Sequence, residues 1–227
     1  MAIALDDDAG QGPAIRVLVV DDHDLFRAGM ASLLGSQPGI EVVAQASGGR
    51  RGVQLASELR PDVVLMDLRM PDLEGVEATR VILERRPVTR VLALTVLTSD
   101  DDVAAALQAG ASGFLAKDTP IPEIVAAIRA AAGGSAWLSP RAAEVVLGSL
   151  RLANAGGEPN LVEVEKLSPR ELDVLHLIAH GKENAQIADT LKISPRTVKN
   201  HVSSILAKLG LPSRIQAATY AVRHGLD

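Results

Sequence analysis

Val63-Val64-Leu65-Met66-Asp67-Leu68-Arg69-Met70-Pro71 decides how the chain folds. Four apolar residues run without a polar break, too few for a buried helix and rich in Val and Leu. They predict a strand covered on both faces, as in a parallel sheet. The strand ends on a carboxylate. Open α/β sheets place their ligands at the carboxyl ends of the strands, which makes Asp67 the first candidate for chemistry.

The pattern recurs on both sides. Ile15 to Val20 is an apolar run that stops abruptly at Asp21-Asp22, and further strand-like runs cover Ile40 to Ala46, Val91 to Thr95 and Gly113 to Ala116. Helical patterns alternate with them at Asp24 to Leu34, Val53 to Leu59, Glu74 to Arg85, Asp101 to Gln108 and Pro122 to Ala132. Five strand–helix units over residues 14–132 predict a doubly wound parallel sheet in the flavodoxin-like order 2-1-3-4-5. Residues 1–13, with three consecutive Asp before Gly and Pro, read as a disordered tail.

In such a sheet Asp21 and Asp22 follow the first strand, Asp67 the third, Thr95 the fourth and Lys117 the fifth, so all five can face one crevice. Clustered carboxylates repel one another unless a cation joins them, and all-oxygen ligation suits Mg²⁺. An ammonium and a hydroxyl beside them suit a phosphoryl group, whose oxygens they neutralise while a carboxylate attacks in line. Singly, each residue has a duller reading: a solvated strand end, a surface lysine, an ordinary strand hydroxyl. Their coincidence at the ends of four strands argues for a site.

Composition narrows the class. Apolar residues make up 47% of the 227, yet the aromatic residues are two Phe, one Tyr and one Trp, so the cores must be aliphatic. Without cysteine there is no disulfide framework and no thiolate metal site. No apolar run nears the ~20 residues of a bilayer span, and Met1 to Asp8 lacks the basic flank of a signal peptide. A soluble, cytoplasmic protein without membrane contact is expected. The net charge of −5 is uneven: residues 166–226 hold nine Lys and Arg against four Asp and Glu, which leaves −10 for the rest. Either the C-terminal part meets a polyanion or it carries an ordinary basic surface.

Residues 133–160 are expected to link two domains, with a helix from Pro140 to about Leu152 and a breaker-rich stretch at 153–160. Two Ser-Pro helix starts follow. Ser168-Pro169-Arg170-Glu171 forms a capping box, ahead of Leu172, Leu175, Ile178 and Ala179 at helical spacing. A second helix spans Ala185 to Leu191, and after a turn through Lys192 and Ile193, Ser194-Pro195 opens a third that runs to about Leu209. Val198, Val202, Ile205 and Leu209 form its buried stripe. Opposite lie Arg196, Lys199, Asn200 and Ser203, side chains that reach phosphates and base edges. Residues 161–227 are thus expected to be an all-α helix-turn-helix domain with its recognition helix last. The bland alternative is a small bundle with a solvated basic face. On the final helix, about Arg214 to His224, Ile215, Ala218 and Val222 recur at helical spacing and suit a two-fold interface.

The wording of the chain is closer than these patterns alone. Val19-Val20-Asp21-Asp22-His23, Leu65-Met66-Asp67-Leu68-Arg69-Met70-Pro71, Ala93-Leu94-Thr95 and Gly113-Phe114-Leu115-Ala116-Lys117-Asp118 resemble the receiver domain of two-component response regulators. Leu167-Ser168-Pro169-Arg170-Glu171, Asn184-Ala185-Gln186-Ile187-Ala188, Ser194 to Val202 and Leu206 to Gly210 resemble the LuxR-type DNA-binding domain. Together they look like the NarL/FixJ class. The resemblance implies that Asp67 accepts a phosphoryl group from a sensor histidine kinase. It implies Mg²⁺ held by Asp22, Asp67 and the Arg69 carbonyl with help from Asp21, phosphoryl oxygens gripped by Thr95 and Lys117, and Phe114 as the switch aromatic. It implies Lys199, Asn200 and Ser203 in the major groove, Arg196, Thr197 and Lys208 near backbone phosphates, and a homodimer on inverted half-sites of double-stranded DNA through the last helix. One position departs from the family: the residue after the switch threonine is commonly small, whereas Val96 is β-branched, stiff, and expected to narrow access.

Two rivals stand beside this reading. Phosphatases of the haloacid dehalogenase type also use a strand-end aspartate, but they carry a second aspartate two residues on, where this chain has Arg69, so a turnover enzyme is not expected. A LuxR-type regulator with an unphosphorylated, degenerate or ligand-sensing N-terminal domain is the other. Aromatic-lined apolar pockets suit such sensing, and the N-terminal half offers only Phe26 and Phe114.

Overall fold

The computed structural model describes residues 13–96, 100–138, 143 and 167–226. The rest of the expected tail, and most of the expected linker with its helix over about 140–152, lie outside these residues. Six parallel strands form one sheet in the order β2-β1-β3-β4-β5-β6. They are β1 (Ile15–Val20), β2 (Ile40–Ala46), β3 (Val63–Asp67), β4 (Arg90–Thr95), β5 (Gly113–Ala116) and β6 (Trp137–Leu138). Strands β1, β3 and β4, inside the sheet, are covered on both faces, which is why they read as unbroken apolar runs.

Alternation sends successive side chains to opposite layers. Val17, Val19, Leu65, Leu92 and Leu94 pack against α1 (Asp24–Gly35) and α5 (Ile121–Ala132) through Met30, Leu34, Ile124 and Ile128. Leu18, Val20, Val64 and Met66 pack against α2 (Gly49–Leu59) and α3 (Gly75–Arg85) through Val53, Ala56, Ala78 and Ile82. Each fully buried aliphatic side chain contributes about 1.5–3 kcal/mol. A third cluster beside α4 (Asp100–Gln108) holds Leu68, Ala93, Val103, Leu107 and Phe114.

Two features differ from expectation. Trp137 and Leu138 pair with Gly113 and Phe114, so the sheet claims a strand from the expected linker and the N-terminal domain runs at least to residue 138. Two residues carry no periodicity, and the preceding Gly-Gly-Ser reads as a breaker. Helix α2 begins at Gly49 rather than Val53 because Asp72, from the β3–α3 loop, accepts the Gly49 and Arg50 amides at 2.9 and 3.1 Å. Burial opposes that carboxylate, yet the backbone amides hold its pKa below the usual range. Helix α3 starts hard against the end of β3: a Cβ on Gly75 would lie 1.9 Å from the Asp67 carbonyl oxygen, so no side chain fits.

The C-terminal domain has α6 (Pro169–Ala179), α7 (Asn184–Leu191), α8 (Pro195–Leu209) and α9 (Arg214–Arg223). They enclose Val174, Leu175, Ile187, Val198, Val202 and Ile205. Both hydrogen bonds of the Ser168–Glu171 capping box form, and Ser194 accepts the Thr197 amide at 3.0 Å. Lys192, at φ 52°, makes the left-handed turn between α7 and α8. No helix among the described residues is long and apolar enough to cross a membrane.

Candidate functional site

At the carboxyl ends of β1, β3 and β5 the sheet brings three of the expected side chains into contact. Asp21 and Asp67 are buried, at 0% and 2% exposure. The Lys117 ammonium lies 2.6 Å from Asp21 Oδ2 and 2.8 Å from Asp67 Oδ2. Arg69 turns back on the site, its amide donating to Asp67 Oδ1 at 3.2 Å, while its guanidinium leaves to Asp102 on α4 at 2.7 Å. Thr95 is buried at the end of β4, and its carbonyl accepts the Lys117 amide at 2.9 Å. Val96, just beyond β4, is 72% exposed.

Burial raises the Asp67 carboxyl above its ordinary range despite the Lys117 hydrogen bond and the Arg69 amide. Burial pulls Lys117 down, but its two carboxylate partners outweigh it and hold the ammonium charged. One ammonium thus serves two buried acids, with Asp22 a third beside them. Asp21, Asp22, His23 and Asp67 present ligand atoms within 4.8 Å of one another, and the buried oxygens Asp21 Oδ2 and Asp22 Oδ1 face the Lys117 ammonium and the His23 ring. That donor set fits a divalent cation. Two residues here were missed: His23, whose Nδ1 is 2.8 Å from Asp22 Oδ1, and Phe26, whose ring lies under the Lys117 ammonium at 4.8 Å. His23 stood next to Asp22 in the sequence and so could have been found; Phe26 needed the fold.

On the C-terminal domain, Arg196, Lys199, Asn200 and Ser203 lie exposed on α8, on the face opposite its buried stripe, and Thr197 is half-buried against Ser194. Lys208 departs from expectation. Its ammonium is 2.6 Å from Glu171, a buried carboxylate that also accepts Ser204 at 2.5 Å and the Ser168 amide at 2.7 Å. It ties α8 to α6, and the contact seen is structural.

The contacts between the two domains include Lys199, from the face expected to read DNA. Lys199 Nζ donates to the Ala132 carbonyl at 2.8 Å, and Asn184 Nδ2 to Gly133 at 2.6 Å, both at the carbonyl end of α5. Gln216 Nε2 donates to Leu107 and Gln108 at the end of α4, at 3.0 and 3.2 Å. Helix C-termini carry unsatisfied carbonyls and negative dipole charge, so donors from the other domain complete them. Ile215, expected on a homodimer surface, is instead 6% exposed in the cluster of Leu107 and Phe114. Ala218 packs in the core of its own domain, and Val222 is half-buried. Asn184, Gln216 and the tie of Glu171 to Lys208 were not anticipated, because each joins partners distant in sequence.

Comparison with known proteins agrees with this division. Residues 17–129 match the family model for the response regulator receiver domain, and residues 165–221 that for bacterial regulatory proteins of the luxR family. The chain is 44% identical over 212 residues to the transcriptional regulatory protein LiaR of Bacillus subtilis, covering 93% of this chain and 99% of the relative. It is 39% identical over 212 residues to the nitrate/nitrite response regulator protein NarL of Escherichia coli K12, covering 93% and 96%. Among solved structures, the response regulator ChrA of a heme-sensing two-component system matches with a TM-score of 0.51 at 35% identity, over 94% of this chain and 99% of that one.

Proposed function

The chain belongs to the response regulators that join a receiver to a luxR-family DNA-binding domain, and from that premise we propose that phosphorylation of Asp67 releases this transcriptional regulator to bind its operator. The observation that carries the reading is the position of Lys199 and Ile215: side chains suited to base contact and to dimerisation are both held by the receiver.

A phosphohistidine on a sensor kinase is the donor. An Asp67 carboxylate oxygen attacks phosphorus in line, the P–N bond to the kinase histidine breaks as the P–O bond forms, and the histidine leaves neutral after taking a proton. Lys117, already on Asp67, neutralises a phosphoryl oxygen, and Thr95 donates to another. Asp22, Asp67 and the Arg69 carbonyl, with Asp21, would hold Mg²⁺, which supplies charge neutralisation at the transferring group. Burial disfavours a bare charge at Asp67 and favours the cation that offsets it. Phe114 and Leu68 share the cluster that seats Ile215, so a change at the pocket shifts the balance between the docked form and an open one. The open form dimerises through α9 and places α8 in the major groove of inverted half-sites, with Lys199, Asn200 and Ser203 on base edges and Arg196 and Thr197 at phosphates. The reading sets this chemistry in the cytoplasm.

The test is mass spectrometry with operator titration on wild type and Asp67→Asn, each with acetyl phosphate and Mg²⁺. Wild type is expected to gain one phosphoryl group and bind its operator at least tenfold more tightly, the variant to do neither. Phosphorylation of wild type with no change in operator affinity or oligomeric state overturns the coupling.

A further inference from the structure

The loop between β3 and α3 carries Arg69, whose carbonyl accepts no hydrogen bond among the described residues, so its direction is set by the chain on either side. The loop is fixed at its start, where the Leu68 amide donates to the Leu94 carbonyl at 3.2 Å and the Arg69 amide to Asp67. It is fixed at its end, where the Gly75 amide donates to the Leu68 carbonyl at 3.0 Å and Gly75 is pressed against the Asp67 carbonyl. Between these ends the chain runs out to α2, a helix that supplies none of the side chains of the acidic pocket. There Asp72 accepts the Gly49 amide on Oδ1 and the Arg50 amide on Oδ2. Two bonds to two oxygens fix the orientation of the carboxylate as well as its place. The seat is cut to this loop: a Cβ on Gly48 would meet Asp72 Oδ1 at 2.6 Å, and one on Gly49 the Leu73 carbonyl oxygen at 2.3 Å. Neither glycine stands at a positive φ, so what glycine serves here is the close approach of the loop.

We infer that Asp72 is a positioning residue for the acidic pocket: seated on the first turn of α2, it holds the β3–α3 loop so that the Arg69 carbonyl keeps the place proposed for a Mg²⁺ ligand. Arg69 lies three residues before Asp72, and a loop freed at 72 can turn about the backbone bonds between them. Mg²⁺ demands near-ideal octahedral geometry and tolerates a displaced ligand poorly. Groups that orient a ligand therefore count toward affinity without touching the ion. The inference rests on the proposed Mg²⁺ site, to which Arg69 gives one oxygen.

The experiment measures Mg²⁺ binding to the full chain by calorimetry, beside thermal melts in chelator, for wild type, Asp72→Ala, Asp72→Asn and the double variant Gly48→Ser with Asp72→Ala. A serine at the N-cap of α2 can accept an amide of its own helix, and Asp72→Ala removes the carboxylate atoms that a Cβ at 48 would strike. The double variant thus restores a cap to α2 without restoring the tie to the loop. Asp72→Ala is expected to melt lower and to raise the Mg²⁺ dissociation constant about tenfold. Asp72→Asn, left with one acceptor oxygen, should fall between it and wild type. In the double variant the melting temperature should return toward wild type while the dissociation constant stays at the level of Asp72→Ala. With acetyl phosphate as donor, the half-saturating Mg²⁺ concentration should rise by the same factor in Asp72→Ala, with the rate at saturating Mg²⁺ within about twofold of wild type. Recovery of Mg²⁺ affinity together with melting temperature in the double variant overturns the inference and leaves Asp72 a helix cap, as does wild-type affinity in Asp72→Ala. Wild type that binds no Mg²⁺ overturns the proposed metal site itself, and the inference with it.

Discussion

Phe114 of β5 and Ile215 of α9 occupy one buried cluster, 1% and 6% exposed, together with Leu68 and Ala93. Leu68 follows Asp67, and Ala93 lies two residues before Thr95 on the same strand. The cluster of the aromatic ring therefore joins residues next to the strand ends that build the pocket with a residue of α9. Close-packed clusters of this kind have discrete arrangements rather than continuous ones, which suits a switch.

Gly110 tests that docking from the receiver side. It sits at φ 101°, and a Cβ there would meet Leu83 at 2.7 Å and Pro212 of the other domain at 2.8 Å. Gly110→Ala should cost the receiver about 1–3 kcal/mol from backbone strain and also pry Pro212 away. Operator affinity of the unphosphorylated protein is expected to rise severalfold, measured beside a urea melt. A destabilised variant with unchanged operator affinity would count against docking as the restraint.

Lys199→Ala should behave differently in the two states. In the phosphorylated protein it is expected to remove the proposed base contact and to cost about 1–3 kcal/mol of operator affinity, with relaxed specificity at one position. In the resting protein the same change also removes the bond to Ala132, so the net loss should be smaller by about 0.5–1.5 kcal/mol. Parallel titrations with and without acetyl phosphate check this, and equal losses in both states would show that Lys199 does not help to hold the docked form.

Glu171 gives a pH signature. Burial opposes its charge, but Lys208, Ser204 and Ser168 overcome that and hold its pKa at about 2. A depressed carboxyl pKa contributes stability that is present above the unfolded value, near 4.5, and lost as pH falls toward 2. Glu171→Gln should destabilise the DNA-binding domain by about 1–3 kcal/mol at pH 7, with the gap to wild type closing below pH 4.5. Lys208→Ala should share the loss. Thermal melts of the full chain at several pH values decide it. A Lys208→Ala protein of unchanged stability that loses affinity equally for all DNA would restore the phosphate role expected from the sequence.

The legibility of these features followed their range in sequence. Strands such as Val63–Asp67 were plain because coverage on both faces demands an unbroken apolar run, and Ser168–Glu171 was plain because a capping box is local. The acidic pocket was legible because parallel topology sends every strand's carboxyl end to one edge. The start of α2 was not, since its cap, Asp72, comes from a loop beyond the next strand. The two-residue β6 carried no period. Lys208 appeared as an outward cation because nothing near it in sequence announces Glu171, and the burial of Ile215 depends on a neighbour from the other domain.

Asp67 has a consequence for the metal-free protein. Because burial raises its pKa, the stability tied to this group is present when it is protonated and is lost as pH rises through its folded pKa; at neutral pH its charge is a burden. Asp67→Asn should therefore melt higher than wild type in the presence of a chelator. Added Mg²⁺ should stabilise wild type and narrow or reverse the gap. Equal melting temperatures in chelator, or equal Mg²⁺ responses, would show that the site neither strains nor recruits a cation as described.

The carbonyl end of α5 holds Lys199 through backbone atoms, so the partner that occupies the recognition helix at rest is a piece of main chain rather than a matched side chain. Such a contact can be strengthened or weakened by changes around residues 132–134 without touching any side chain that reads bases. Over evolutionary time the threshold at which the signal takes effect and the operator sequence can therefore drift independently, letting one family of regulators keep its wiring while changing either its sensitivity or its targets.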